Sequence, residues 1–180
     1  MRKIKTFFAA ILVAIIFSAP VSAQYQVVFA DPGLGQFSLT NVNGSSVSTI
    51  VAGQTYVLKL RVFNADPVKA VPPSTVYVRI GLGTKFQFDP TYNVATSPYN
   101  NYFTFYAMNM GVQDEFFCLV NNLPAGFDGE LSFRIKAKTT LGTSTVSGNC
   151  LIYNASSTYV LSDYNPGNNT SSVPYTVLAQ

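Results

Sequence analysis

The chain has 180 residues, with 11 basic and 8 acidic side chains, two cysteines, and neither histidine nor tryptophan. Without histidine no Ser-His-Asp or Cys-His arrangement can form, and the commonest general base and metal ligand is missing. Three of the basic residues fall within the first five positions, so the rest of the chain carries eight charges of each sign; it lacks the basic footprint that phosphate-backbone binding needs, which excludes nucleic acid as an expected partner.

In chain order, the first element is an address. Arg2, Lys3 and Lys5 form a basic start, Phe7 to Phe17 is unbroken apolar sequence, and "SAPVSA" (Ser18 to Ala23) ends in the small-x-small pattern that signal peptidases cut. Eleven apolar residues fall short of the roughly 20 that span a bilayer. The expectation is a signal peptide over 1–23, a single domain over 24–180 beginning at Gln24, and a secreted, extracellular or cell-surface location. No later run is apolar enough to span a membrane.

From there the chain alternates with a period of two. In "YVLKLRVFN" Leu58, Leu60 and Val62 oppose Lys59 and Arg61; in "TVYVRIG" Val76, Val78 and Ile80 oppose Tyr77 and Arg79; in "ELSFRIKAK" Leu131, Phe133, Ile135 and Ala137 oppose Ser132, Arg134, Lys136 and Lys138. These are half-buried strands with one wet face each. Further strands are expected at "QYQVVFA", "QFSLTNV", "SSVSTIV", "YFTFYAM", "EFFCLVNN", "CLIYNA", "STYVLS" and "SVPYTVL", punctuated by turn sequences such as "NVNG", "VAGQ", "LPAGFDG" and "TTLGT". No apolar pattern runs at helical spacing, so the predicted fold is all-β, an immunoglobulin-like Greek-key sandwich.

Cys118 and Cys150 both lie in strand-like runs. In an oxidising compartment they are expected to form a disulfide, with two buried free thiols as the alternative. Two cysteines without histidine do not make a typical zinc site, and no cofactor is implied.

The segment Thr91 to Gln113 contains no charged residue and is rich in tyrosine and phenylalanine. Phe103, Phe105 and Ala107 take one face of its strand, and Tyr102, Tyr106, Met108 and Met110 the other. Either both faces are covered within the domain or one meets a partner. If a contact surface exists, Tyr92, Tyr99, Tyr102 and Tyr106 are its candidates, because tyrosine packs on sugar rings or protein surfaces while its hydroxyl stays wet.

Asp114 and Glu115 are adjacent carboxylates, but neighbours on a strand point to opposite faces, so they read as solvated charges rather than an acid-base pair. Six of the eight remaining cations, Lys59, Arg61, Arg79, Arg134, Lys136 and Lys138, fall on the wet faces. A shared sheet would make them a positive stripe suited to anionic polysaccharide; solvated strand faces commonly look the same.

Three stretches, "VAGQTYVLKLRVFN" (Val51 to Asn64), "LPAGFDGELSFRIKAKTTLGTSTVSGNCLIYN" (Leu123 to Asn154) and "DYNPGNNTSSVPYTV" (Asp163 to Val177), resemble the conserved-repeat modules of bacterial surface proteins and the related cell-adhesion-related domain found in bacteria (CARDB). The resemblance runs from about Ser45 to Val177 and implies an immunoglobulin-like fold and a role in cell-surface adhesion or structural protein interaction.

Within the last stretch, Pro166 and Gly167 suit the central positions of a type II turn, and Asp163, Asn165, Asn168 and Asn169 can bond backbone groups the turn leaves unpaired. The competing reading is a calcium site at Asp163, Asn165 and Asn168, completed by a neighbouring loop such as "GFDGE" with Asp128 and Glu130. Calcium wants six to eight oxygens, usually from several carboxylates, and this stretch holds one.

The expected function is a non-catalytic module whose partner is a protein or glycan at the cell surface. The alternatives are a carbohydrate-binding module using the tyrosines, or a self-associating subunit that donates the apolar run Tyr25 to Ala30 to a neighbour's sheet edge.

Overall fold

The computed structural model describes residues 25–89, 100–109, 114–154, 156 and 158–180; the expected signal peptide over 1–23 lies outside them. Twelve strands occur among the described residues: β1 (Gln26–Ala30), β2 (Pro32–Asn41), β3 (Ile50–Val51), β4 (Thr55–Asn64), β5 (Val76–Gly81), β6 (Phe86–Phe88), β7 (Phe103–Asn109), β8 (Asp114–Val120), β9 (Asp128–Ala137), β10 (Gly142–Ile152), β11 (Tyr159–Asp163) and β12 (Thr170–Leu178). One sheet has the order β3-β12-β10-β5-β8-β7 and faces a second of order β2-β4-β9-β6, while β1 and β11 form a parallel pair. The connections from β4 to β5 and from β9 to β10 carry the chain from one sheet to the other, giving the immunoglobulin-like Greek-key sandwich that the alternation predicts.

Alternation decides which side chains fill the space between the sheets. Tyr56, Leu58, Leu60 and Val62 of β4 and Leu131, Phe133, Ile135 and Ala137 of β9 are buried against Val76, Val78 and Ile80 of β5 and Phe116, Cys118 and Val120 of β8. At the centre Phe116 and Phe133 meet edge-on with ring centroids 4.8 Å apart, flanked by Phe88 and Phe105 at 5.2 and 5.6 Å from Phe116. Edge contacts of this kind add to the area term of burying rings.

Asn64, at the end of β4, is almost fully buried and ties three segments together. Its amide nitrogen donates to the carbonyls of Lys69 (2.8 Å) and Pro124 (3.0 Å), and its oxygen accepts from the backbone N–H groups of Asp31 and Asp66 (both 3.3 Å). This is the physical reason that the strand "VAGQTYVLKLRVFN" closes on asparagine: an apolar residue there would strand buried carbonyls.

Strand β10 is longer than expected, because the turn at "TTLGT" is confined to residues 139–141 and the strand runs unbroken from Gly142 to Ile152. Its inward positions are Ser144, Val146, Gly148 and Cys150. Ser144 is buried because its hydroxyl accepts from the backbone N–H groups of Thr84 (2.9 Å) and Lys85 (3.3 Å), and a side chain at Gly148 would press on Leu34 and Phe37 at 3.1 Å. The run "SSVSTIV" contributes only the two residues of β3, and "FQF" adds the short strand β6.

The cysteines are free and buried, which corrects the expected disulfide. Cys118 on β8 and Cys150 on β10 both stand opposite Val78, on either side of β5 in the same sheet. Two strand spacings separate them by about 10 Å, beyond the roughly 7 Å Cα separation that a disulfide can bridge.

Candidate functional site

The outer face of the six-stranded sheet is where wet positions become apolar. Register aligns two rows across it: Leu151, Tyr77, Leu119 and Thr104 in one, and Asn149, Arg79, Phe117 and Tyr106 in the next. Tyr153, just past β10, joins them, since its backbone N–H donates to the Thr75 carbonyl at 2.8 Å. Its ring lies 4.4 Å from that of Tyr77, which meets Phe117 edge-on at 6.4 Å. Tyr106 is 49% exposed, Tyr153 52% and Leu151 43%. The result is an aromatic surface in which Tyr106 and Tyr153 are about half exposed and the Tyr77, Tyr153 and Phe117 rings meet tilted and edge-on.

One ion pair is set into this surface. Glu115, only 7% exposed, pairs with the Arg79 guanidinium, which also lies 5.9 Å from the centre of the Phe117 ring. Glu115 is thus buried and paired rather than solvated, a correction to the sequence reading, and it faces away from Asp114. The latter accepts the Phe88 backbone N–H at 2.9 Å. The Tyr77 hydroxyl is held above its ordinary pKa, first by burial and then by the neighbouring Tyr153 hydroxyl.

The outer face of the four-stranded sheet is built differently. Lys59, Arg61, Arg134 and Lys136 share it, whereas Arg79 lies on the opposite sheet, so the expected stripe is split. Arg61 forms a two-pronged pair with Asp128 (2.8 and 2.7 Å) and Lys59 reaches Glu130 at 3.0 Å. Half of the face's cations are therefore neutralised in place, and it reads as a solvated surface. A groove of about 380 Å³ beside it is lined by Gln87, Lys136, Lys138 and Thr139.

Of the four candidate tyrosines, Tyr106 sits on the aromatic surface. Tyr102 is half-buried and packs on Phe127 at 4.8 Å, so it supports the edge of the core. Tyr92 and Tyr99 lie outside the described residues. Sequence reasoning missed Tyr77, Tyr153, Phe117 and Leu151. A signal existed in "EFFCLV", whose two faces are both apolar.

The "DYNPGNN" stretch forms a different turn from the one expected. Pro166–Asn168 is a 3-10 turn, and Gly167 is not in the left-handed region. Asp163 accepts from the Asn165 backbone N–H (2.9 Å) with one oxygen and from the Asn169 amide (2.6 Å) with the other, while the Asn168 amide donates to Asp31 at 2.7 Å. In this arrangement amide donors sit on the Asp163 and Asp31 carboxylates, the buried amide oxygens of Asn168 and Asn169 have no hydrogen-bond partner among the described residues, and Asp128 and Glu130 are held by Arg61 and Lys59 on the other sheet. Among the described residues no group of three or more His, Cys, Asp or Glu side chains is placed to hold a metal.

No protein-family model and no curated protein matches the sequence. In three dimensions the chain is similar to the crystal structure of the CARDB domain of the PF1109 protein from Pyrococcus furiosus, in complex with di-metal ions, with a TM-score of 0.51 and 12% identity over 84% of this chain and 96% of that one. A solution NMR structure of the same domain gives 0.49 and 13% over 83% and 96%. A non-cellulosomal cohesin from Archaeoglobus fulgidus gives 0.46 and 10% over 83% and 92%. No helix among the described residues is long and apolar enough to cross a membrane. The chain has the immunoglobulin-like sandwich fold of the CARDB domain, as the three sequence stretches imply.

Proposed function

We propose that this chain is an exported, non-catalytic β-sandwich module acting in cell-surface adhesion or structural protein interaction, and that it engages its partner through the outer face of the six-stranded sheet. One observation carries the reading: Tyr77, Tyr106, Phe117, Leu151 and Tyr153 gather on one sheet face around a single Arg79–Glu115 ion pair. Strand positions facing water are ordinarily polar, and contiguous aromatic patches mark interaction sites. The charged face of the other sheet supplies the contrast. The test is co-sedimentation of the secreted protein with cell-envelope fractions. A Tyr106→Ser/Tyr153→Ser variant, folded by circular dichroism, should lose most of the binding, and Lys136→Ser on the opposite sheet should keep it. Binding that survives the tyrosine changes and disappears with Lys136 would overturn the assignment.

A second reading is favoured by the half-exposed tyrosines Tyr106 and Tyr153 on this surface. Ring faces suit the CH faces of sugars, and hydroxyls suit their polar edges. On a glycan array, a signal abolished by the same double variant supports a carbohydrate ligand. A blank array together with retained binding to protein components supports the first reading.

A further inference from the structure

Strand β1 stands apart from both sheets. It pairs only with β11, in parallel, from Gln26 opposite Tyr159 to Ala30 opposite Asp163. Such a pair is marginal alone. Most of its apolar side chains look outward, with Tyr25, Val27 and Phe29 each about half exposed, and only Ala30 is fully buried. Phe29 stacks on the exposed Tyr164 ring at 5.9 Å and 19°.

The free edge of β1 is also unguarded. Natural edges are blunted by charge, proline, bulges or short length. Strands β3 and β6 have two and three residues, and β2 opens with Pro32 and carries a register shift between Leu34 and Phe37. Tyr25 to Ala30 has no charge and no proline.

A single residue, Asp31, separates β1 from β2, and it is firmly held. Its carbonyl accepts from Ala65 N–H (2.8 Å), and its carboxylate accepts from the Asn168 amide (2.7 Å). Asp31 is therefore a fixed pivot, while the arm before it is held by one neighbour.

We propose that this arm is exchanged between two copies of the chain, the β1 of each lying on the β11 and Tyr164 of the other in a closed two-fold dimer. The inference rests on cleavage after Ala23, which makes Gln24–Ala30 a terminal arm. The six residues Tyr25 to Ala30, extended, reach about 20 Å, enough to cross to a copy docked at this edge. The contacts of Gln26 to Phe29 are the same whether β11 belongs to the same chain or another, so exchange forfeits only those of Ala30 beside the fixed Asp31, and a short hinge favours it over folding back. The docked copies also cover the apolar edge that a monomer leaves in water.

The test begins with the intact mass of the secreted protein, which reads the cleavage; a chain retaining the signal peptide would overturn the proposal. Light scattering on the cleaved protein should give a dimer fraction that rises with concentration. A chain starting at Asp31 should be monomeric with an unchanged sandwich circular-dichroism spectrum. As a variant that leaves the arm in place, Val27→Cys chains mixed with Val160→Cys chains should give a reducible covalent heterodimer, since these positions are directly opposed in the register. A monomer at every concentration, dimers that survive loss of the arm, or no mixed disulfide would each overturn the exchange.

Discussion

Adding a reductant to the folded, secreted protein should leave its melting temperature unchanged. Cys118 and Cys150 flank Val78 in one sheet, about 10 Å apart by strand spacing, and no small shift brings them within bonding reach. A bridge closing a loop of this size would add roughly 3 to 4 kcal/mol, so reducing it would lower the melting point by about 6 °C or more in a domain this large. The thiols carry a second, independent signature. Burial pushes Cys150 from its ordinary 9.0 up to about 12 and raises Cys118 as well. The Cys150 shift alone cuts its thiolate population near pH 8 by about 1000-fold, so a thiol reagent should find no reactive group in the native protein and two in denaturant. The sign of the pH dependence follows. Above pH 9 the unfolded chain releases the Cys150 proton while the native protein holds it, so stability falls as pH rises from 9 towards 12. The loss reaches about 1 kcal/mol from Cys150 by pH 10. A melting point lowered by reductant, or fewer than two thiols titrating in denaturant, would refute the register that places both cysteines beside Val78.

Replacing Asn64 by alanine should cost about 2 to 4 kcal/mol in denaturant unfolding, because the Lys69 and Pro124 carbonyls lose their donor; a change below the error of the fit would show that water replaces it. Phe133→Ala, at the centre of the aromatic core, should cost about 3 to 5 kcal/mol, read as a lower midpoint with an unchanged denaturant slope. Gly83→Ala should destabilise by about 1 to 2 kcal/mol from its φ of +66° alone. Its new methyl would also crowd Ser144 and the Thr145 carbonyl at 2.7 Å, so a variant as stable as the parent would contradict the placement of that turn.

The alternating strands were legible because one face is uniformly apolar: Leu58, Leu60 and Val62, or Leu131, Phe133 and Ile135, announce both the strand and its buried side. Strand β10 was half hidden, since a buried serine and a buried glycine serve packing and capping there and carry no hydrophobic signal. The disulfide was misjudged because a sequence gives no lateral order of strands, and only that order shows that β5 lies between the cysteines. Tyr106 could be singled out from composition. Tyr77, Phe117 and Tyr153 come from three separate segments, and they become one surface only through the registers of β5 with β8 and β10. Glu115 looked solvated because its partner, Arg79, is 36 residues away. The "DYNPGNN" stretch is a turn, as read, but only Asp163 bonds its backbone there; the Asn168 and Asn169 amides reach the carboxylates of Asp31 and Asp163, partners that the local sequence does not reveal.

The central claim, that the aromatic face of the six-stranded sheet meets the partner, is tested most directly by chemical nitration of tyrosines with and without bound cell-envelope material, read by peptide mass spectrometry. Tyr106 and Tyr153 should become protected on binding, while Tyr164, at the β1 edge, keeps the reactivity it shows without envelope material. Protection of Tyr164 with Tyr106 and Tyr153 still fully reactive would contradict it.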